Sequence, residues 1–227
     1  MCGRVTQARP TSDLARIFDA EDLAELEAGR YNVAPTQPIA VVVERDDRRA
    51  LTAYRWGLVP PWAPDPKVGS RMINARAETL ACSPAFRYSF ERKRCLVPVD
   101  GFYEWLRSPD GRRQPFYVTT ADGSPLALAG LWSSWRPPDE DIPPLRTCAI
   151  VTTTRNELLA PIHNRMPVIV PPDCWALWLD PATADRGEHI GLLRPAAVEG
   201  LVAYPVGRLV NSPRNDGRQL IEPAFVS

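Results

Sequence analysis

The sequence predicts a mixed α+β fold in one domain. Short runs rich in Val, Leu, Ile, Thr and aromatic residues recur along the chain, each bounded by Gly, Pro, Asn or Asp. Few stretches carry helical periodicity or helix-start signals, and most of them are short. The chain has 25 prolines in 227 residues, and they are spread throughout rather than gathered in a linker. That is about twice ordinary usage, so they punctuate short elements. No composition shift marks a boundary, and residues 1–227 read as one domain.

The elements follow in order. Residues 3–7 predict a short strand. Residues 12–27 predict a helix, with Thr11 or Ser12 as cap and Leu14, Ile17, Phe18, Leu23 and Leu26 as its apolar stripe. Residues 30–37 break both periodicities and form a polar loop. Strands over 39–44 and 50–57 flank a turn at Arg45–Arg49. Trp56-Gly57-Leu58-Val59-Pro60-Pro61-Trp62 is a stiff loop with aromatic ends. Each tryptophan can serve as a lid on the core or as a stacking surface for a base.

Residues 71–80 read as a surface turn entering a short helix, and they carry Asn74, Arg76 and Glu78. Cys95–Val99 is an apolar strand that runs through Asp100-Gly101 into a second. Asp110-Gly111 and Asp122-Gly123 then separate strands over 102–107, 114–119 and 126–133. Residues 134–144 form an exposed loop and 146–154 a strand. Pro161 and Pro167 bracket a loop with His163. A short helix over 172–179 buries its tryptophans, a helix over 183–193 carries a surface His189, and 200–206 is a strand.

Composition narrows the function. Net charge is zero, with 27 basic and 27 acidic residues, so no whole-molecule field attracts nucleic acid. Any such site is a local patch. Arg87, Arg92, Lys93 and Arg94 stand against one Glu91, and Arg4, Arg71, Arg76 and Arg165 accompany the motifs below. The five cysteines contain no CxxC pair, and there are two histidines, so neither a metal site nor a disulfide framework is expected. Cys95 and Cys148 read as core residues. No apolar run reaches the ~18 residues of a membrane span and no signal-peptide pattern is present. A cytoplasmic protein with reduced thiols is expected.

Cys2 is the first candidate nucleophile. Once Met1 is removed it carries an amine and a thiol on adjacent carbons, with reference pKa values of about 8 and 8.5. The amine can condense with an aldehyde and the thiol can then close a thiazolidine ring. The same pair suits acyl transfer. Glu104 lies among aromatics in a strand. It is either desolvated and primed for acid–base work or outward-facing on an exposed strand.

Six motifs in order resemble the SRAP family of abasic-site processing proteins, also called SOS-response-associated peptidases. They are Met1-Cys2-Gly3-Arg4, Tyr31–Thr36, Trp56-Gly57 with Pro60 and Trp62, Ile73–Thr79, Arg94–Pro98 running into Gly101–Trp105, and Ile162–Pro167. The resemblance implies a compact fold around a distorted, antiparallel, β-barrel-like sheet with short helices. It implies covalent capture of abasic sites in single-stranded DNA through Cys2, by a Schiff base and then a thiazolidine. Asn74, Glu104 and His163 complete the implied catalytic set. The implied DNA contacts are Arg4, Asn32, Trp62, Arg76, Phe86, Arg87 and Arg165. No cofactor, metal or membrane partner is implied, the protein is taken as a monomer, and association with the nucleoid follows from binding damaged DNA.

Two positions depart from the family pattern. Asn164 stands where Asp is usual, which leaves His163 less readily protonated, and Pro84 stands where some relatives carry a basic residue. The rival classes are an N-terminal-nucleophile amidotransferase, which shares the Met-Cys-Gly start but not the later motifs, self-processing peptidase activity alone, in which Cys2 exposes itself by removing Met1, and a non-catalytic single-strand binding module.

Overall fold

The computed structural model describes residues 2–46, 48–107, 111–137, 142–183 and 186–224. Among these residues the strands are β1 (Val5–Gln7), β2 (Glu21–Asp22), β3 (Arg30–Val33), β4 (Pro38–Arg45), β5 (Arg48–Trp56), β6 (Asn74–Arg76), β7 (Arg94–Val99), β8 (Gly101–Arg107), β9 (Arg113–Thr120), β10 (Leu126–Trp135), β11 (Leu145–Thr154), β12 (Arg165–Pro167) and β13 (Leu201–Pro205). The α-helices among these residues are short: α1 (Thr11–Ile17), α2 (Arg87–Arg92), α3 (Trp175–Leu179) and α4 (Arg186–Gly191).

The strands form two sheets. β4, β5, β7, β10 and β11 pair in a ring: the antiparallel path β5-β4-β7-β10-β11 closes where Thr147 and Cys148 of β11 pair in parallel with Arg55 and Trp56 of β5. Closure removes the exposed strand edges that invite aggregation. The second sheet runs β13-β9-β8-β1-β3 and is antiparallel. The expected mixed fold with a barrel-like sheet is the one observed, although its closure is parallel.

Alternation along the strands sorts the core. Val42, Leu51, Leu96, Ala129 and Val151 face a cluster covered by the helices, through Leu14, Phe18, Phe90 and Trp178. Ile39, Val41, Trp56, Cys95, Val97, Cys148 and Ile150 face the other way. They share a core with Cys2, Val5, Val33, Phe102 and Val118 of the second sheet. Burying each large aliphatic side chain there contributes about 1.5–3 kcal/mol.

Several expectations change. Arg30–Val33 of the expected polar loop form β3 through pairing with β1, and Arg165–Pro167 of the expected loop between Pro161 and Pro167 form β12 through pairing with β11. The helix predicted over 12–27 stops at Ile17. Asp19 adopts a left-handed φ of 50°, and Leu23 then donates its backbone N–H to Leu51 of β5. Pairing with a strand edge outcompetes the stripe beyond Phe18, and Leu23 is exposed rather than part of that stripe. Residues 74–76 are a strand on β11 rather than a turn entering a helix. His189 is buried, not on the surface: its ring meets Phe90 and Trp178 edge-on and Nε2 lies 3.0 Å from the Leu177 carbonyl oxygen. Asp110 and part of the 134–144 loop lie outside the described residues, and 134–135 extend β10.

Candidate functional site

Cys2 precedes β1 and is fully buried. β1 pairs with β8, and the Tyr103 N–H donates to the Arg4 carbonyl at 3.0 Å, which brings the next β8 residue, Glu104, alongside the start of the chain. The face of Glu104 is settled by its neighbours. Phe102 and Leu106 point into the core that holds Cys2, while Tyr103 and Trp105 pack on the opposite side against Tyr117, Val206 and Val210. Glu104 therefore points inward and is 1% exposed. Burial pushes its carboxyl up to about 7, opposed by the charge of the chain's amino terminus.

Burial also drives the Cys2 thiol well above its usual value, and the nearby Glu104 charge acts in the same direction. The thiol is held neutral rather than reactive near neutral pH, unlike the expectation drawn from reference values.

Asn74 reaches Cys2 from the barrel. β6 pairs in parallel with Ile150–Thr152 of β11. The preceding Ile73 carbonyl accepts from the Ile150 N–H at 3.0 Å and from the Trp56 indole at 2.9 Å. So fixed, Asn74 Nδ2 donates to the Cys2 carbonyl at 2.8 Å. Its Oδ1 is buried without a hydrogen-bond partner among the described residues. Arg76, two residues on, shares its strand face and is exposed.

His163 closes a turn whose Leu159 and Ile162 pack in the same core cluster as Cys2. Its Nδ1 accepts from the Arg165 N–H at 3.0 Å. Its pKa lies below the usual value, first through burial and then through the amino-terminal charge, so it is neutral at pH 7.

The structure gathers Cys2, Asn74, Glu104 and His163. It treats the other predicted contacts unequally. Trp62 is 65% exposed on a loop pinched shut where Gly57 meets Gly69: a Cβ on either glycine would lie 2.5 Å from the other's carbonyl oxygen. Trp56, by contrast, is core. Arg87 is exposed on α2, whereas Phe86 packs against the helix-covered core. Arg4 and Asn32 have internal partners. Arg4 Nη1 donates to Asn32 Oδ1 at 2.6 Å and to the Val210 carbonyl at 2.7 Å, over the Trp105 ring. Asn32 Nδ2 donates to the carbonyls of Ser212 and Asn215. Together they anchor the C-terminal segment. Arg165 makes a bidentate pair with Glu78 at 2.9 and 3.0 Å and also donates to the Thr152 carbonyl.

The sequence matches the family described as SOS response associated peptidase (SRAP) over residues 1–213. The chain belongs to the SRAP family. Among its relatives is the abasic site processing protein YoqW of Bacillus subtilis, 41% identical over 226 residues, covering 98% of this chain and 99% of that one. The abasic site processing protein YedK of Escherichia coli is 31% identical, covering 98% and 100%. The chicken abasic site processing protein HMCES is 31% identical, covering 98% of this chain and 78% of its own. A solved structure from Bacteroides thetaiotaomicron has the same fold, with a TM-score of 0.88 at 24% identity, covering 99% of this chain and all of that one.

The fold brings to one place Cys2 and His163, which are 161 positions apart in sequence. Reading the motifs alone missed Thr152 and the supporting role of Trp56. Thr152 is fully buried, and its carbonyl accepts from both Arg165 and the Ala77 N–H at 2.8 Å. Nothing in the run Thr152-Thr153-Thr154 distinguishes that threonine locally. Among the described residues no group of three or more His, Cys, Asp or Glu is placed to hold a metal ion, and no helix is long and apolar enough to cross a membrane.

Proposed function

We propose that this protein captures abasic sites in single-stranded DNA covalently through Cys2. The observation that carries this reading is the Asn74–Cys2 hydrogen bond beside a buried carboxyl held near pH 7. The printed names of its SRAP relatives supply the substrate class.

With Met1 removed, the Cys2 amine attacks the ring-opened sugar aldehyde and gives a carbinolamine. Glu104 donates the proton with which hydroxide leaves as water, forming the Schiff base. The Cys2 sulfur then adds to the same carbon of the iminium, its proton passes to the Glu104 carboxylate, and the C=N π electrons return to the nitrogen, which keeps its one N–H in the neutral thiazolidine. A carboxyl near 7 can serve in both directions. A neutral thiol suits this order, because it attacks only after the imine exists. Neutral His163 opens the sugar ring, and Asn74 holds the Cys2 backbone while its Oδ1 remains to accept from the amine. Arg76 and Arg87 meet flanking phosphates and Trp62 stacks on a base, so binding tolerates sequence. Cys2 acting on its own Met1 is a peptidase activity compatible with the same groups.

The test is a denaturing gel. Protein is mixed with a single-stranded oligonucleotide bearing one abasic site, beside an intact oligonucleotide and a Cys2→Ala variant. A shifted band that needs both lesion and Cys2 is expected. No band from protein shown by intact mass to lack Met1 overturns the proposal.

A further inference from the structure

The pair Glu78–Arg165 joins two elements that each carry a residue of the proposed site. Glu78 follows β6, four positions after Asn74. Arg165 opens β12, two positions after His163. β6 and β12 both pair with β11, meeting it around Thr152. The Thr152 carbonyl accepts from the Ala77 N–H on one side and from the Arg165 guanidinium on the other. The bidentate ion pair then spans the remaining gap. Glu78 also feels Arg76, and its carboxyl lies below the usual range, chiefly through Arg165.

Arg165 is coupled directly to the histidine. Its backbone N–H lies 3.0 Å from His163 Nδ1, closer than its own carbonyl at 3.3 Å. Nδ1 must be bare to accept there, so the ring proton of neutral His163 sits on Nε2. Whatever fixes the Arg165 backbone fixes the tautomer and the direction of the ring.

We propose that Glu78 is a positioning residue: its ion pair with Arg165 clamps the start of β12 and thereby holds His163 in its Nε2–H tautomer opposite Asn74. This rests on the capture reading above, with His163 as proton donor to the sugar. Glu78 touches neither DNA nor the reacting atoms in this role, and it acts through Arg165. Bidentate geometry makes Arg165 specific here, since lysine offers only a point charge.

The experiment compares wild type, Glu78→Gln and Arg165→Lys. Three quantities are read: single-turnover capture of an abasic oligonucleotide at saturating DNA, affinity for the intact oligonucleotide by anisotropy, and the ring nitrogen shifts of His163 in long-range 1H–15N spectra. The chain has only two histidines, so the assignment is direct. Glu78→Gln is expected to slow saturated capture roughly 10- to 100-fold, the usual effect of a displaced reacting group. It leaves affinity for intact DNA unchanged or tighter, because a negative charge has gone. The His163 signals move from an Nε2–H pattern toward a mixture. If Glu78→Gln proves unfolded by circular dichroism, Arg165→Lys, which keeps the charge, is expected to give the same slowing and the same shift in the spectra. Unchanged saturated capture, or an unchanged His163 spectrum with capture slowed, overturns the clamp. Wild-type protein that captures nothing overturns the capture reading itself, which distinguishes the two failures.

Discussion

Asn74 Nδ2 donates to the Cys2 carbonyl at 2.8 Å, across 72 residues of sequence and from one sheet to the other. This bond ties the start of the chain to the barrel. Losing it leaves a buried carbonyl unpaired, which costs about 1–3 kcal/mol. Asn74→Ala is therefore expected to slow capture at least tenfold in single-turnover assays. Affinity for intact single-stranded DNA is expected to stay within about twofold, since Arg76 and Trp62 are untouched.

Glu104 gives a pH signature with a definite sign. Its carboxyl moves from an ordinary 4.5 in the unfolded chain to about 7 in the fold. Between those values the folded protein holds a proton that the unfolded chain has released. Stability therefore falls as pH rises from about 4.5 to 7, then levels. The loss is on the order of 3 kcal/mol. Glu104→Gln is expected to remove this dependence, so the difference in Tm between variant and wild type grows from pH 4.5 to pH 8. The capture rate of wild type is expected to decline above about pH 7, and that limb is absent in the variant.

Trp62 and Gly69 separate stacking from loop shape. Trp62→Ala is expected to weaken binding of intact single-stranded DNA by about 1–3 kcal/mol, with stability changed by less than about 0.5 kcal/mol. Gly69→Ala places a Cβ 2.5 Å from the Gly57 carbonyl oxygen. It should lower Tm by the equivalent of about 1–3 kcal/mol and weaken binding too. Anisotropy and calorimetry on both variants check this.

Arg4 and Asn32 hold the C-terminal segment through the carbonyls of Val210, Ser212 and Asn215. Asn32→Ala leaves those carbonyls and the Arg4 guanidinium short of partners. Destabilisation of at least about 2 kcal/mol is expected, with new protease cleavage within 207–221. An undiminished Tm would return both residues to the DNA-contact role.

The thiols should react in order of exposure. Cys82 is exposed, while Cys2, Cys95 and Cys148 are buried. Brief treatment of folded protein with iodoacetamide at pH 8 is expected to modify Cys82 first and to leave Cys2 unmodified, read by peptide mass. Rapid modification of Cys2 would contradict its burial.

Much of the fold was legible because strands announce themselves locally. The runs at 39–44, 95–99, 102–107, 114–119 and 146–154 lie within strands of the structure. The helix over 12–27 failed at Asp19 because edge pairing with β5, in which Glu21 meets Ala50 and Asp22 meets Leu51, 29 residues further along, is invisible to periodicity. His189 read as surface because its helix is short. The rings of Phe90 and Trp178 that bury it come from distant segments.

By itself the sequence determined the six SRAP motifs, the mixed strand-rich class and the identity of Cys2, Asn74, Glu104 and His163 as the residues to watch. These depend on residue type, order and nearest-neighbour sterics, which a linear chain displays. Only the tertiary structure decided that Glu104 faces inward, that the Cys2 thiol is neutral, and that Arg4 and Arg165 have protein partners. Burial and desolvation are sums over atoms brought near from far along the chain. A carboxylate's pKa or an arginine's partner therefore exists only once β8, β11 and the C-terminal segment have met.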